Sequence, residues 1–325
     1  MILIISTLAD YHTEKVIQHL KNDEREFYLW DLLQFPLKQE LSISYVNDVV
    51  KATLKEEDGR EINLSAITSA WWRRPQPFTV SADMTNGIDR HFTIGECHAT
   101  ISGLWKLLPA RWMNPPVEDE VASRKAYQLM VAQSVGLIIP ETLISNNPEH
   151  ARSIIEANAG KGTIYKSFSA TQEAWRETRL IKEDELNKLS NVKYAPVIFQ
   201  EYIHSIADLR ITIVGNKVFP AAIYIPDSSY QVDFRMTYAT SKIVAHQLPE
   251  EIEEQLLHFM RKLNLIYGAI DMRLTPEGKY VFLEVNTAGQ WLFMEEPTGL
   301  PISKAIADWL ANSGEKESAP RNLQS

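Results

Sequence analysis

Apolar residues along this chain come in two rhythms, and their alternation sketches the elements before any chemistry is considered. The runs at 1–6 (MILIIS) and 27–30 (FYLW) read as strands, with helical spacing over 13–21 between them, a βαβ-like opening. Further strands are expected at 41–46, 50–54 and 69–72, the second closed by Glu57-Asp58-Gly59, and residues 88–107 carry a helical period. Asn114-Pro115-Pro116 then punctuates the chain and marks a domain boundary. Beyond it, 118–135 predicts a helix with acids in its first turn and Gly136 as its stop. Asn147-Pro148-Glu149 opens another, with a cap, a Pro at the first helical position and an acid behind it. Residues 160–189 mix short strands with a polar loop, and 197–203 reads as a strand. The runs 210–214 and 217–225 pair through Gly215-Asn216, and 249–265 is amphipathic, with Ile252, Leu256, Met260 and Leu263 on one face. Pro301 starts a last helix with Ile302, Ala305, Ile306 and Trp309 inward, and the polar tail 313–325 reads as disordered.

The most informative stretch is 266–290, IYGAIDMRLTPEGKYVFLEVNTAGQ. Two strand-like runs flank Thr275-Pro276-Glu277-Gly278, which predicts a hairpin. With its tip at Glu277-Gly278, Asp271 falls opposite Glu284, and Asn286 shares the face of Glu284. Two carboxylates so placed repel by about 1–4 kcal/mol at ~4 Å, depending on the local dielectric. A divalent cation turns that repulsion into binding, and all-oxygen donors suit Mg²⁺ or Mn²⁺ better than zinc. A surface hairpin with two solvated acids carries the same spacing. Setting favours the metal site, because both acids interrupt apolar strands (AIDM, VFLEVN) in which an unpaired carboxylate is expensive.

Composition narrows the class. At 325 residues, two or three packed domains are expected, and 45% hydrophobic with 23% charged residues is ordinary globular composition. The net charge of −9, from 33 Lys+Arg against 42 Asp+Glu, gives no footprint for nucleic acid. One cysteine, Cys97, excludes an internal disulfide and a cysteine-based zinc cluster and fits a reducing cytoplasm. The start has no basic region, and its apolar run is too short for a signal peptide or a membrane span. No GxGxxG follows the first strand, and Gly160-Lys161-Gly162-Thr163 lacks the spacing of a phosphate-binding P-loop. The eight histidines form no ligand-like cluster, and His91, His98 and Cys97 do not look catalytic.

The order of the remaining pieces is distinctive. Lys125 lies on a helix and Lys166 on a strand; then come Gln200-Glu201-Tyr202-Ile203, Asp208-Leu209-Arg210, Asp233-Phe234-Arg235, Asp271 and Glu284-Val285-Asn286. Over residues 1–312 this resembles the ATP-grasp ligases. Ala70-Trp71-Trp72-Arg73-Arg74, Leu143 to Pro148 and Tyr267 to Asp271 make it most similar to the microviridin-type (MvdC/MvdD-like, graspetide) peptide ligases. The resemblance implies a three-part α/β (α+β) fold: a pre-ATP-grasp domain at 1–115, a central part at 116–198 that covers the nucleotide and docks a leader peptide, and a catalytic part at 199–312. It also implies roles. Lys125 and Lys166 would neutralise ATP phosphates, and backbone groups of Glu201, Tyr202 and Ile203, beside Gln200, would read adenine. Glu201 and Asp208 would be available to ribose, unless Asp208 merely holds Arg210. Arg210 and Arg235 would stabilise the transferring phosphoryl group, an ion pair with Asp208 being the rival for Arg210. Asp271, Glu284 and Asn286 would hold Mg²⁺ on the phosphates. Arg73 or Arg74 would meet an acidic peptide side chain or the acyl phosphate, with Arg74 preferred for its place beside a Pro-containing loop; Arg–Trp stacking is the structural alternative. Lys166 is not followed by a glycine-rich loop, so hydroxyls of Ser167, Ser169 and Thr171, with Arg176 or Arg179, would replace its N–H donors.

In this family the product is a cyclised ribosomal peptide. The expected partner is a precursor with a leader and an acidic core containing Ser, Thr or Lys, with no nucleic acid or membrane and a homodimer as the default. Two rivals stand beside it: a ligase adding amino acids to a protein tail, as ribosomal-protein glutamate ligases do, and a non-catalytic ATP-binding regulator.

Overall fold

The structure is a computed structural model that describes residues 1–168, 178–225 and 241–312. It divides into two compact units, Met1–Val117 with Pro301–Ser325, and Glu118–Leu300. The polar tail 313–325 lies outside the described residues.

The first unit is built on a parallel sheet. Strands β1 (Ile2–Ile5) and β2 (Phe27–Trp30) are joined by helix α1 (Tyr11–Asn22). The hairpin strands β3 (Gln39–Val46) and β4 (Val49–Glu56) pair with β5 (Glu61–Asn63) in a separate antiparallel sheet. Strand β6 (Ser69–Trp72), helix α2 (Gly87–Leu107) and β7 (Arg111–Met113) complete the main sheet in the order β2-β1-β6-β7. All four residues of β1 are buried, which explains why its sequence is continuous ILII rather than alternating. The expected strands at 41–46 and 50–54 are present and longer, meeting at the two-residue turn Asn47-Asp48 with φ 50° and 63°, conformations these two residue types tolerate best after glycine. Trp105 on α2 meets Trp30, Trp72 and Trp112 edge-on at centroid distances of 5.4, 5.8 and 5.6 Å. The C-terminal helix Ile302–Ala311 packs in this unit against α1 and β6 with Ile302, Ala305 and Ile306 buried. Trp309 is half-buried, beneath the guanidinium of Arg111.

Arg73 and Asp10 follow β6 and β1 at the carboxyl ends of adjacent parallel strands. Both are buried, and Arg73 Nε donates to Asp10 Oδ2 at 2.9 Å while Thr13 Oγ1 donates to the same oxygen at 2.8 Å. Burial pushes the Asp10 carboxyl up, but the Arg73 charge and the Thr13 and Arg73 hydrogen bonds outweigh it, so its pKa is lowered. A depressed carboxyl stabilises the fold above its unfolded value near 4, and that contribution fades as pH falls through the folded value. Arg73→Met, which strands a buried charge, should therefore destabilise by about 3–5 kcal/mol in urea unfolding. The double variant with Asp10→Asn should lose much less and show a flatter acid limb; equal losses in both would mean the pair does not hold this end of the sheet.

In the second unit, the single helix expected over 118–135 is two, α3 (Pro116–Ala122, beginning at the unit boundary) and α4 (Lys125–Ser134). Arg124 is extended between them, and neither Gly nor Pro marks the break. The Ala122 carbonyl is satisfied instead by the side chain of Gln128, a pairing invisible to periodicity. Gly136 ends α4 at φ 88°, as expected. Strands β8 (Thr142–Ser145), β9 (Thr163–Lys166), β10 (Arg179–Leu180) and β11 (Val197–Glu201) form a sheet in the order β10-β9-β11-β8, with helix α5 (Pro148–Ala157) between β8 and β9 capped by Asn147. The second sheet runs β14-β13-β12-β15-β16, comprising β12 (Ala207–Val214), β13 (Lys217–Tyr224), β14 (Lys242–Ala245), β15 (Tyr267–Leu274) and β16 (Tyr280–Asn286). Helix α6 (Glu250–Lys262) buries Leu256, Phe259 and Met260 among Leu209, Ile211, Ile213, Ile270, Met272, Phe282 and Val285. Helix α7 (Leu292–Thr298), which sequence periodicity does not reveal, ends at Gly299 in the left-handed region. The last helix, Ile302–Ala311, is α8.

Candidate active site

One face of the second sheet is apolar and belongs to the core; the other carries a row of charge. Side chains alternate along a strand, so Asp208 and Arg210 on β12 and Asp271 and Arg273 on β15 share the polar face. Register sets them opposite one another: Asp208 faces Arg273, Arg210 faces Asp271, and Asp271 faces Glu284.

Asp271 meets Glu284 as the sequence predicts, through two departures that cancel. The loop between Leu274 and its partner Tyr280 is five residues long and centred on Glu277, which alone would set Asp271 against Leu283. A β-bulge after Asp271 adds one residue and restores Glu284. The cause lies in the core: Phe282 and Val285 are both buried in it, three positions apart, which strict alternation cannot provide.

The groups form two bonded sets that meet where Asp271 stands opposite Glu284. Arg210 Nη1 donates to Asp271 Oδ1 at 2.6 Å and Nη2 to the Gln290 carbonyl at 3.2 Å. Asn286 Nδ2 donates to Asp271 Oδ2 at 3.1 Å, and Lys125, in the first turn of α4, pairs with Glu284. Arg210 therefore takes Asp271 as its partner, not Asp208. Gly289 makes its approach feasible: a Cβ there would lie 2.4 Å from Ala269 Cβ and 3.1 Å from Arg210 Nη2. Tyr267 holds this loop by donating its hydroxyl to the Gly289 carbonyl at 2.8 Å.

Chemically, the cluster offers two carboxylates, one amide and two cations. No group of three or more His, Cys, Asp or Glu poised for a metal occurs among the described residues. That limited donor set fits Mg²⁺, which is commonly held by one or two carboxylates with phosphate oxygens completing its shell. A polyphosphate with its cation supplies the complement of what is here, anionic oxygens for Lys125 and Arg210 and a cation for Asp271 and Glu284.

The expected adenine connector adjoins this row. Lys166 Nζ donates to Gln200 Oε1 at 3.2 Å, and the buried Gln200 amide donates to Thr142 Oγ1 at 2.8 Å. Glu201 pairs with Lys161 at 2.7 Å, which raises the lysine pKa. The N–H groups of Glu201 and Tyr202 are committed to the carbonyls of Glu141 and Gly162 at 2.9 and 3.0 Å. Arg273 was not singled out by the sequence, yet it ties the connector to the sheet. Its Nη1 donates to the Ile203 carbonyl at 2.6 Å, its Nε pairs with Asp208 at 3.0 Å, and its guanidinium lies 5.3 Å from the Tyr202 ring centre. Burial raises the Asp208 pKa, with Arg273 opposing. Its place two residues after Asp271, on the same face, was the available signal. Arg235, Ser169, Thr171 and Arg176 lie outside the described residues; Arg179 is exposed on β10. Arg73 and Arg74 belong to the first unit, where Arg73 is held by Asp10 and Arg74 is half-buried.

Residues 1–120 match the MvdD pre-ATP grasp domain, and residues 122–310 match the RimK-like ATP-grasp domain. The chain belongs to the ATP-grasp family. Among solved ATP-grasp structures, macrocyclase MdnC from Microcystis aeruginosa, bound with precursor peptide MdnA, is 30% identical over 96% of this chain and 99% of its own, with a TM-score of 0.85. The Chryseobacterium gregarium RiPP-associated ATP-grasp ligase, in complex with ADP and a leader and core peptide, is 28% identical over 97% of both chains, with a TM-score of 0.88. The ribosomal protein bS6–L-glutamate ligase of Escherichia coli O7:K1 is 26% identical over 60% of this chain and 67% of its own. No helix of the described residues is long and apolar enough to cross a membrane.

Proposed function

We propose that this ATP-grasp ligase closes rings in a ribosomal precursor peptide. It activates an Asp or Glu side-chain carboxylate as an acyl phosphate, then joins it to a Ser or Thr hydroxyl (ester) or a Lys amine (amide). The observation that carries this over the glutamate-ligase alternative is extent. Similarity to the two peptide ligases spans both units, whereas similarity to the glutamate ligase spans 60% of the chain.

In this scheme the central part, from 118 to 198, and the catalytic part, from 199 to 300, enclose the nucleotide, the helix at 302–311 having joined the first unit rather than the catalytic part. Lys125 and Lys166 neutralise its phosphates as point cations. A substrate carboxylate oxygen attacks the γ-phosphorus and ADP leaves; Arg210, with Arg235, stabilises charge on the phosphoryl oxygens in flight. The hydroxyl or amine then attacks the acyl carbon, a proton is lost and phosphate departs, so each bond formed removes one water from the peptide. Asp271, Glu284 and Asn286 would hold Mg²⁺, or Mn²⁺, whose chemistry is charge neutralisation on the phosphates. Arg74 is the preferred contact for an acidic side chain of the core; Arg73, buried against Asp10, keeps a structural part. The leader docks on the central part, and the enzyme works in the cytoplasm, a homodimer being the prior for its assembly.

Intact mass of a candidate precursor peptide with an acidic, Ser/Thr-containing core, incubated with enzyme, ATP and Mg²⁺, tests the scheme. Loss of one water per bond is expected. A mass gain would transfer the chain to the amino-acid-adding class, and an unchanged peptide without ATP turnover would favour the regulatory reading.

A further inference from the structure

Among the described residues, strand β16 is the last of its sheet and no strand lies beside its outer edge. Two described groups bond that edge. The Ile138 carbonyl accepts from Phe282 N–H at 2.8 Å. At Val285 a side chain takes the place of a strand: Gln128 Oε1 accepts from Val285 N–H at 3.1 Å, and Gln128 Nε2 donates to the Val285 carbonyl at 3.0 Å and to the Ala122 carbonyl at 2.7 Å. Gln128 is 3% exposed, so these bonds form away from water, where geometry is most constrained.

What this amide grips is the link between two members of the oxygen cluster. Val285 lies between Glu284 and Asn286, one residue past the bulge, where the ladder is locally disrupted. Gln128 also stands three residues after Lys125, on the same face of α4, and Lys125 pairs with Glu284. One amide thus ties the lysine-bearing helix, the end of α3 and the acid-bearing strand to a common frame.

We propose that Gln128 is a positioning residue that sets the distance and aim of Glu284 and Asn286 toward the metal–nucleotide complex, and holds Lys125 in register with them. The inference deepens the proposed function and rests on its assignment of Asp271, Glu284 and Asn286 to the cation. Partners that orient metal ligands from behind commonly change metal affinity 10- to 100-fold when removed.

The test is titration of Mn²⁺ by electron paramagnetic resonance in the presence of a non-hydrolysable ATP analogue, using the full chain. Gln128→Met, similar in volume but without the three hydrogen bonds, should weaken Mn²⁺ binding about tenfold or more and speed exchange of the Val285 amide hydrogen. Ile154→Ala, a core truncation beside β11, should lower Tm without moving the Mn²⁺ affinity, separating positioning from general loss of stability. Should Gln128→Met not fold, Gln128→Glu replaces it, since it keeps the acceptor for Val285 N–H and removes both donors. An added carboxylate by itself would tighten a cation, so weaker binding in that variant reports geometry. Affinity within twofold of wild type, or tighter, in the folded variant overturns the inference. Glu284→Gln distinguishes the two levels. If it weakens Mn²⁺ and Gln128→Met does not, the positioning role alone fails; if neither does, the metal assignment itself fails.

Discussion

Glu284→Gln should reduce ATP-dependent ligation by about 10³-fold, the loss that accompanies removal of several kcal/mol of charge stabilisation around a transferring phosphoryl group. The substitution keeps shape and one carbonyl oxygen and removes only the anion. Folding should survive it, because glutamine fills the same volume and the apolar core under the sheet is untouched. Stability and activity therefore separate: Tm should shift by a few degrees at most while turnover collapses. Phosphate release with Mg²⁺ and peptide, wild type against variant, makes the comparison. Turnover at the wild-type rate would remove the basis for placing a cation on this strand. The charge arithmetic sharpens the expectation. Lys125 and Arg210 neutralise Glu284 and Asp271 within the protein, so a cation enters without large penalty only if both basic groups gain phosphate oxygens in exchange. The variant leaves Lys125 without its carboxylate, which should weaken the Mg²⁺ requirement while sparing some affinity for metal-free nucleotide.

How much of this was legible in the sequence differs from residue to residue. The Asp271–Glu284 pairing was, because alternation in AIDM and VFLEVN and the turn residues between them are local signals. It emerged through a compensation the pattern does not contain, a turn centred one half-step early and a bulge that corrects it. The bulge has a cue in hindsight, since Phe282 and Val285 cannot both point into one core without it. Arg210 was legible as a charge opening an apolar strand, but its partner was not. The rival pairing with Asp208 was two residues away along the chain, whereas Asp271 is brought in by strand pairing 61 residues on. The break between α3 and α4 escaped for a related reason, because the bond that stabilises it runs from a side chain to a carbonyl and leaves no periodic trace. Arg273 and Gln128 share that property. Each is a buried polar residue that bonds a backbone group of a distant segment; spacing from Asp271 places Arg273 on the polar face but does not reveal its partners, and nothing local points to Gln128.

Arg210→Ala should lower kcat by about 10²-fold or more while raising KM for ATP only modestly. Geometry supports that split. The guanidinium is held on two sides, by Asp271 at 2.6 Å and the Gln290 carbonyl at 3.2 Å, and its Nε is buried without a hydrogen-bond partner among the described residues. A guanidinium held on two sides keeps its charge fixed beside the carboxylate row, which suits stabilisation of charge that develops during transfer. Arg210→Lys keeps the charge but lacks the planar fork whose two nitrogens reach Asp271 and the Gln290 carbonyl, so it should recover only part of the loss. Because Arg210, Asp271 and Asn286 form one hydrogen-bonded network, their effects should not add. The double variant Arg210→Ala with Asp271→Asn should lose clearly less activity than the product of the two single losses. Full additivity would mean the two act separately. A change confined to KM for ATP would make Arg210 a binding residue and leave the phosphoryl-transfer role to be assigned elsewhere.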